Sequence, residues 1–298
     1  MTKVTIAIRT YNEGKDLEKI LPKIYSQKKV PDFEVLLIDS KSTDSTQELI
    51  KKYGLRAVYI DQKNFTHAWT FNLGAEYARG EIVVYTSAHV IINDDLWLHD
   101  LVKHFDDPRV AGVFGRQLPI KGLNYVEEFK LNLFFGEREE RANFSNANGA
   151  IRRSVWLRHR YNENVPLQYS WGEDQKWIQE VKKDGYRIVY EPLSEVYHSH
   201  KPSLKSRLKS SFNGGYYEKE CAPWNQGVYI LSYKKIDLIN YLLRNRHYWT
   251  IVNDLFFQGL LIRIATLIGK IKRKIDSTKG AEVIEFYKLQ EKKVYKQI

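Results

Sequence analysis

The chain has 298 residues, 43% of them hydrophobic, with Cys221 as its single cysteine. That is enough apolar sequence for a sizeable core, which excludes global disorder, and one cysteine excludes an internal disulfide framework. Lys and Arg outnumber Asp and Glu by 47 to 36, for a net charge of +11 and a pI near 9.4. Such a balance suits pyrophosphate substrates, anionic lipid head groups or nucleic acid. The basic residues are spread through the C-terminal third without a groove-reading motif, so nucleic acid is not an expected partner. The N-terminus lacks a signal-peptide layout and no apolar run is long enough to span a bilayer, so a cytoplasmic protein is expected.

In chain order, residues 4–8 are apolar and β-rich and predict a first strand. Residues 13–27 carry Leu17, Ile20, Leu21 and Ile24 at helical spacing. A strand over 33–38 follows, then the Ser42-Thr43-Asp44-Ser45 cluster of helix caps and a helix that stops at Gly54. Residues 57–60 predict a third strand. A helix from about 66 ends near Gly80, and residues 81–86 form a fourth strand running into Ser87-Ala88-His89. Residues 94–105 read as helix and 110–114 as strand.

This alternation predicts an α/β fold, a mostly parallel Rossmann-like sheet with helices on both faces. Residues 119–153 lose the alternation and read as loops and helices over the sheet. A helix over 171–183 opens with Glu173-Asp174. A strand over 187–190 precedes the Tyr197-His198-Ser199-His200 run. From about 203 helical periodicity and basic residues dominate. Two units are expected: an α/β domain over 1–202 and a basic helical region over 203–298.

In open α/β sheets, ligands bind at the carboxyl ends of the strands. The first strand ends in Thr10-Tyr11-Asn12-Glu13, where Asn12 also reads as a helix cap. The second ends in Asp39-Ser40-Lys41-Ser42, whose ionised Asp39 is an acceptor suited to a nucleobase or ribose. The fourth delivers His89. Together with His198 and His200 it suggests a divalent ion or phosphate held by side chains from distant parts of the chain.

In this order, Thr10-Tyr11-Asn12-Glu13, Asp39 to Asp44, Phe65-Thr66-His67, Ser87-Ala88-His89, Gly115-Arg116-Gln117, Glu173-Asp174 and His198-Ser199-His200 resemble the inverting family 2 glycosyltransferases of A-type fold, over about residues 3–202. The Gly-Arg-Gln and Phe-x-His segments resemble rhamnosyltransferase-type members. The resemblance implies transfer of a sugar, with inversion, from a UDP- or dTDP-sugar to a glycan or lipid-linked acceptor. By it, Asp39 contacts the pyrimidine and Thr10 and Glu13 the nucleoside, with Tyr11, Ser42 and Ser87 beside them. His67 touches phosphate or orients the ribose. Arg116 and Gln117 meet the sugar or acceptor, as do Asn146, Asn148 and Gly149, and Trp171 offers a ring face. Asp174 is the base and Glu173 its support.

The sequence departs from the family at the metal position. Ser87-Ala88-His89 replaces Asp-x-Asp, although an Asp-x-His version occurs in the related polypeptide N-acetylgalactosaminyltransferases. His89 is the candidate ligand, with His198 or His200, for Mn or Mg, and imidazole shifts the preference towards manganese. Alternatively, His89 only hydrogen-bonds phosphate and no metal is needed. The missing Asp-x-Asp and the basic tail also leave open a non-catalytic nucleotide-sugar-fold protein that binds membrane or a partner. Residues 255–275 mix apolar residues with Arg263, Lys270, Lys272, Arg273 and Lys274. That pattern fits peripheral attachment to the inner face of the membrane, or a packed helix with a basic edge.

Overall fold

The computed structural model describes residues 3–123, 125–135, 144–163, 173–200, 203–216, 239–240, 243–244, 258–278 and 294–296. Its strands are β1 (Val4–Thr10), β2 (Phe33–Asp39), β3 (Arg56–Ile60), β4 (Ile82–Ser87), β5 (Val110–Leu118), β6 (Asn148–Arg152), β7 (Arg187–Tyr197) and β8 (Val294–Lys296). They form one sheet in the order β7-β5-β6-β4-β1-β2-β3-β8. The helices are α1 (Gly14–Tyr25), α2 (Thr46–Tyr53), α3 (His67–Tyr77), α4 (Trp97–Val102), α5 (Tyr125–Phe134), α6 (Arg153–Trp156), α7 (Glu173–Lys183), α8 (Leu204–Tyr216) and α9 (Gln258–Thr278).

The strands β3, β2, β1 and β4 run parallel. Helices cover both of their faces, which is why these strands read as continuous apolar runs. Successive β1 residues point to opposite sides. Ile6 and Ile8 pack with Leu17, Leu21 and Ile24 of α1 and Trp97 and Leu101 of α4. Ala7 packs with Phe71 and Ala75 of α3, Trp156 of α6 and Trp177 of α7. Each fully buried aliphatic side chain in these layers contributes roughly 1.5–3 kcal/mol.

Residues 119–153 are not only loops and helices. The strand β6 inserts antiparallel between β4 and β5. Its opening Asn148-Gly149 has the composition of a turn, and the apolar run behind it is too short to signal a strand. The last parallel strand is also longer than expected. Gly115 pairs with Glu191 but Arg116 with Glu195, so β7 bulges over residues 192–194 and continues to Tyr197. The bulge demands a glycine opposite, because a Cβ on Gly115 would lie 2.2 Å from the Ser194 carbonyl oxygen. The helix expected over 94–105 is α4 followed by a 3₁₀ turn at Lys103–Asp106.

After residue 202, α8 and α9 pack against each other. The tail is not helical throughout, since β8 pairs antiparallel with β3 at the sheet edge. No helix among the described residues is long and apolar enough to cross a membrane.

Candidate active site

The carboxyl ends of β1, β2 and β4 meet the start of α3 around a cleft of about 360 Å³. It is lined by Arg9, Thr10, Tyr11, Glu13, Ser40, Gln62, Phe65, His67, Ser87 and His89. Of the residues expected here, Thr10, Tyr11, Glu13, His67, Ser87 and His89 therefore come together.

The β1 and β2 loops lock one another. Asn12 takes a left-handed backbone, φ 53°, and does not cap α1. Its backbone N–H donates to Ser42 Oγ at 2.8 Å, and its Oδ1 accepts from the Thr43 N–H at 2.8 Å. The cap comes from Asp44, which accepts from the Gly14 N–H at 2.8 Å and the Thr46 N–H at 3.1 Å and so serves both α1 and α2. Burial pushes the Asp44 carboxyl up, but hydrogen bonds from Thr46 and Gly14 outweigh it and hold the group below the usual range. Asp39 is wholly buried. Its carboxylate accepts from the Ser42 N–H (3.0 Å), Ser42 Oγ (2.6 Å) and Gln47 Nε2 (2.7 Å). In this arrangement Asp39 holds Ser42 and Gln47 and so shapes the loop at the end of β2.

The histidines converge because two chain segments are clamped together. Ile91 and Tyr197 exchange both backbone hydrogen bonds, at 3.0 and 2.9 Å. This places His89 beside His198 and His200, with ligand atoms within 4.8 Å of one another. His89 Nδ1 meets Glu13 Oε1 at 2.7 Å, and His198 Nδ1 meets Gln117 Oε1 at 2.8 Å. Both contacts need an N–H on Nδ1, so each ring, when neutral, carries its lone pair on Nε2. Those two atoms face each other at 3.1 Å. Burial, then the neighbouring histidines, pull His198 well below the usual histidine range and His200 below it, so both are neutral imidazoles near pH 7. Three imidazoles this close, two of them neutral and two of them oriented by oxygen acceptors on Nδ1, make a candidate donor set for a metal ion.

Arg9, which sequence reasoning did not single out, sits one residue before the end of β1. Its Cζ lies 4.3 Å above the Phe71 ring, and its Nη1 donates to His67 Nδ1. Burial pulls Arg9 down to about 10, opposed by Glu173, Asp174 and Glu13, so it stays charged at neutral pH. His67 is pushed to about 3 by burial and then by Arg9 and His200. It is therefore neutral, with Nδ1 as acceptor.

Glu173 and Asp174 open α7, and Glu173 is buried. Burial raises the Asp174 carboxyl to about 6, against hydrogen bonds from the backbone N–H groups of Asn146 (3.3 Å) and of Asp174 itself and the charge of Arg9. Nearby, Tyr161 donates its hydroxyl to Asn146 Oδ1 at 3.1 Å.

Arg116 and Asn148 are engaged away from the cleft. Arg116 turns away from Gln117, since adjacent strand residues face opposite sides. It pairs with Glu195 at 2.8 Å and the Phe135 carbonyl at 3.0 Å. Asn148 is buried and bonds Trp97 Nε1 and the Ser194 carbonyl, both at 2.8 Å. Trp171 lies outside the described residues.

The model of the family described as glycosyl transferase family 2 matches residues 5–165, more than half of the chain. The chain belongs to this family. The glycosyltransferase is 28% identical over 268 residues to the O-antigen chain rhamnosyltransferase RfbN of Salmonella typhimurium, covering 83% of each chain. It is 26% identical over 269 residues to the O-antigen chain rhamnosyltransferase WbaN of Salmonella anatum, covering 84% of each. Its fold matches a mannosyltransferase of Pyrobaculum calidifontis solved with GDP-Man and Mn2+. That match has a TM-score of 0.61 and 18% identity, covering 92% of this chain and 87% of that one. The protein is thus an inverting glycosyltransferase of A-type fold that uses a nucleotide-sugar donor, and the non-catalytic alternative gives way.

Proposed function

We propose that the glycosyltransferase moves rhamnose from a UDP- or dTDP-type donor to a hydroxyl of a surface glycan or its lipid-linked precursor. The two O-antigen relatives support the choice of sugar and acceptor. The observation that carries the chemistry is Asp174. It is a half-buried carboxyl raised to about 6, within electrostatic reach of Arg9, which lines the cleft. A base poised near the working pH is what proton abstraction needs.

In this reading the donor lies over the ends of β1 and β4, its nucleoside against Thr10, Tyr11 and Ser40. Asp174 takes the proton of the acceptor hydroxyl as that oxygen forms its bond to the anomeric carbon. The bond from that carbon to the diphosphate breaks on the opposite side, which inverts the centre. Glu173 supports Asp174 at the head of α7.

The histidine trio fits a divalent cation. His89, His198 and His200 would hold it, and Glu13 and Gln117 fix the two Nε2 lone pairs towards it. Imidazole donors favour manganese over magnesium. When bound, such an ion supplies Lewis-acid neutralisation of the leaving diphosphate.

The glycosyltransferase works at the cytoplasmic face of the membrane, with α8 and α9 as an appendage to the catalytic domain of residues 1–202. Ile262 and Thr266 of α9 are buried, whereas Leu260, Ile264, Leu267, Ile268, Ile271 and Ile275 are exposed. Exposed Arg263, Lys270, Lys272 and Lys274 accompany them. Apolar side chains flanked by cations suit an anionic lipid surface, where a lipid-linked acceptor would be found.

A donor screen tests the enzymology. Calorimetry with UDP-, dTDP- and GDP-sugars, with and without manganese, should show metal-enhanced binding of a pyrimidine donor. Binding of GDP-sugars alone would overturn the donor assignment.

A further inference from the structure

We infer that Arg9 is the residue that receives the diphosphate of the donor at the floor of the cleft. The inference rests on the nucleotide-sugar reading above and assigns a substrate-contacting role to a side chain outside the motifs that identify the family here.

Three other arginines that are not exposed have full partners. Arg56 pairs with Glu34 at 2.7 Å and Arg116 with Glu195 at 2.8 Å. Arg152 donates to the carbonyls of Phe105, Asp107 and Val110 at 2.7–3.0 Å. Arg9 has neither arrangement. Among the described residues no carboxylate lies within 4.0 Å of it, and its buried Nε has no partner. Among the described residues its side chain donates to an imidazole nitrogen, and the ring beneath it is Phe71.

Drawing a cation partly out of water without an anion is costly unless something completes the pair. Three carboxylates act on Arg9 from beyond ion-pair distance, Glu173, Asp174 and Glu13. They keep the guanidinium charged without satisfying its donors. The residue lines the same cleft as Thr10, Ser87 and His89, so an anion in that cleft reaches it.

The chemistry of the site supplies that anion. As the bond to the anomeric carbon breaks, negative charge grows on the diphosphate and needs a fixed cation. A planar guanidinium matches two phosphate oxygens at once, which an ammonium cannot do. The local ligand set points the same way. Here the position of Asp-x-Asp holds Ser87-Ala88-His89, so fewer carboxylates offset positive charge in the cleft.

Calorimetry on the full chain tests this, using uridine, thymidine, UDP and dTDP with manganese present. Arg9→Met should bind the preferred nucleoside diphosphate at least tenfold more weakly and the matching nucleoside unchanged. Arg9→Lys keeps a point charge without the fork, so it should lose several-fold in the diphosphate alone, and it decides the matter if the Met variant does not fold. Equal weakening of nucleoside and diphosphate, or no change in either, overturns the assignment. So does an unchanged diphosphate affinity with an acid limb of kcat/KM moved to higher pH, which makes Arg9 a partner of Asp174 instead. If the unaltered protein binds none of the four ligands, the donor reading itself falls and this assignment with it, an outcome distinct from a defect confined to the variants.

Discussion

The Nε2 atoms of His89 and His198 face one another at 3.1 Å while Glu13 and Gln117 occupy the opposite nitrogens. Two lone pairs at that distance repel unless a cation lies between them. Gln117 is then a positioning residue for His198, and replacing it frees the ring to rotate or change tautomer. Gln117→Leu should weaken manganese binding by about 10–100-fold, as measured by electron paramagnetic resonance titration of free Mn2+. Unchanged affinity would show that the trio does not hold the ion.

Asp174 makes stability depend on pH in a defined direction. Its carboxyl rises from an ordinary 3.8 to about 6 in the folded protein, chiefly by burial. The folded state therefore holds a proton that the unfolded chain has already released between those values. Its stabilising contribution is complete below 3.8 and is lost as pH rises through 6. Asp174→Asn has no such titration. The Tm of that variant minus that of the parent should climb between pH 4 and pH 6.5 in calorimetric scans, and a flat difference would contradict the burial.

Arg116 provides a control. Its bonds to Glu195 and the Phe135 carbonyl are structural and partly exposed. Arg116→Ala should lower stability by about 1 kcal/mol or less in urea titrations and leave the donor KM within twofold. A tenfold rise in KM would restore Arg116 to the donor site.

The exposed face of α9 makes a separate prediction. Replacing Leu267 and Ile271 with Asp should abolish flotation with vesicles containing phosphatidylglycerol while transfer to a soluble acceptor persists. Parent protein that floats equally with neutral vesicles would show that the cations of α9 do not contribute to binding.

Much of this architecture could be read from the chain. The first four strands were legible because helices bury both faces of each, which leaves unbroken apolar runs such as Val4 to Ile8. The histidines were legible because each follows a strand. Less was available for β6, whose five residues carry a turn-like Asn-Gly start. Arg9 was hidden for a physical reason. An arginine near a strand end ordinarily reaches solvent, and only the packing of Phe71 and His67 around it reveals the half-buried charge. Asp39 shows the converse. Its position at a strand end was readable, but its engagement with Gln47, eight residues on, depends on how α2 folds back over the loop.

In the proposed reaction Asp174 removes the acceptor proton above a bound nucleotide-sugar. Parallel measurement of donor affinity and transfer rate in Asp174→Asn tests it most directly. Donor affinity should stay within twofold of the parent while kcat/KM falls by about 10²–10⁴, and the parent's kcat/KM should decline below pH 6. Transfer by the Asn variant at the parent rate, with donor bound, would contradict the assignment.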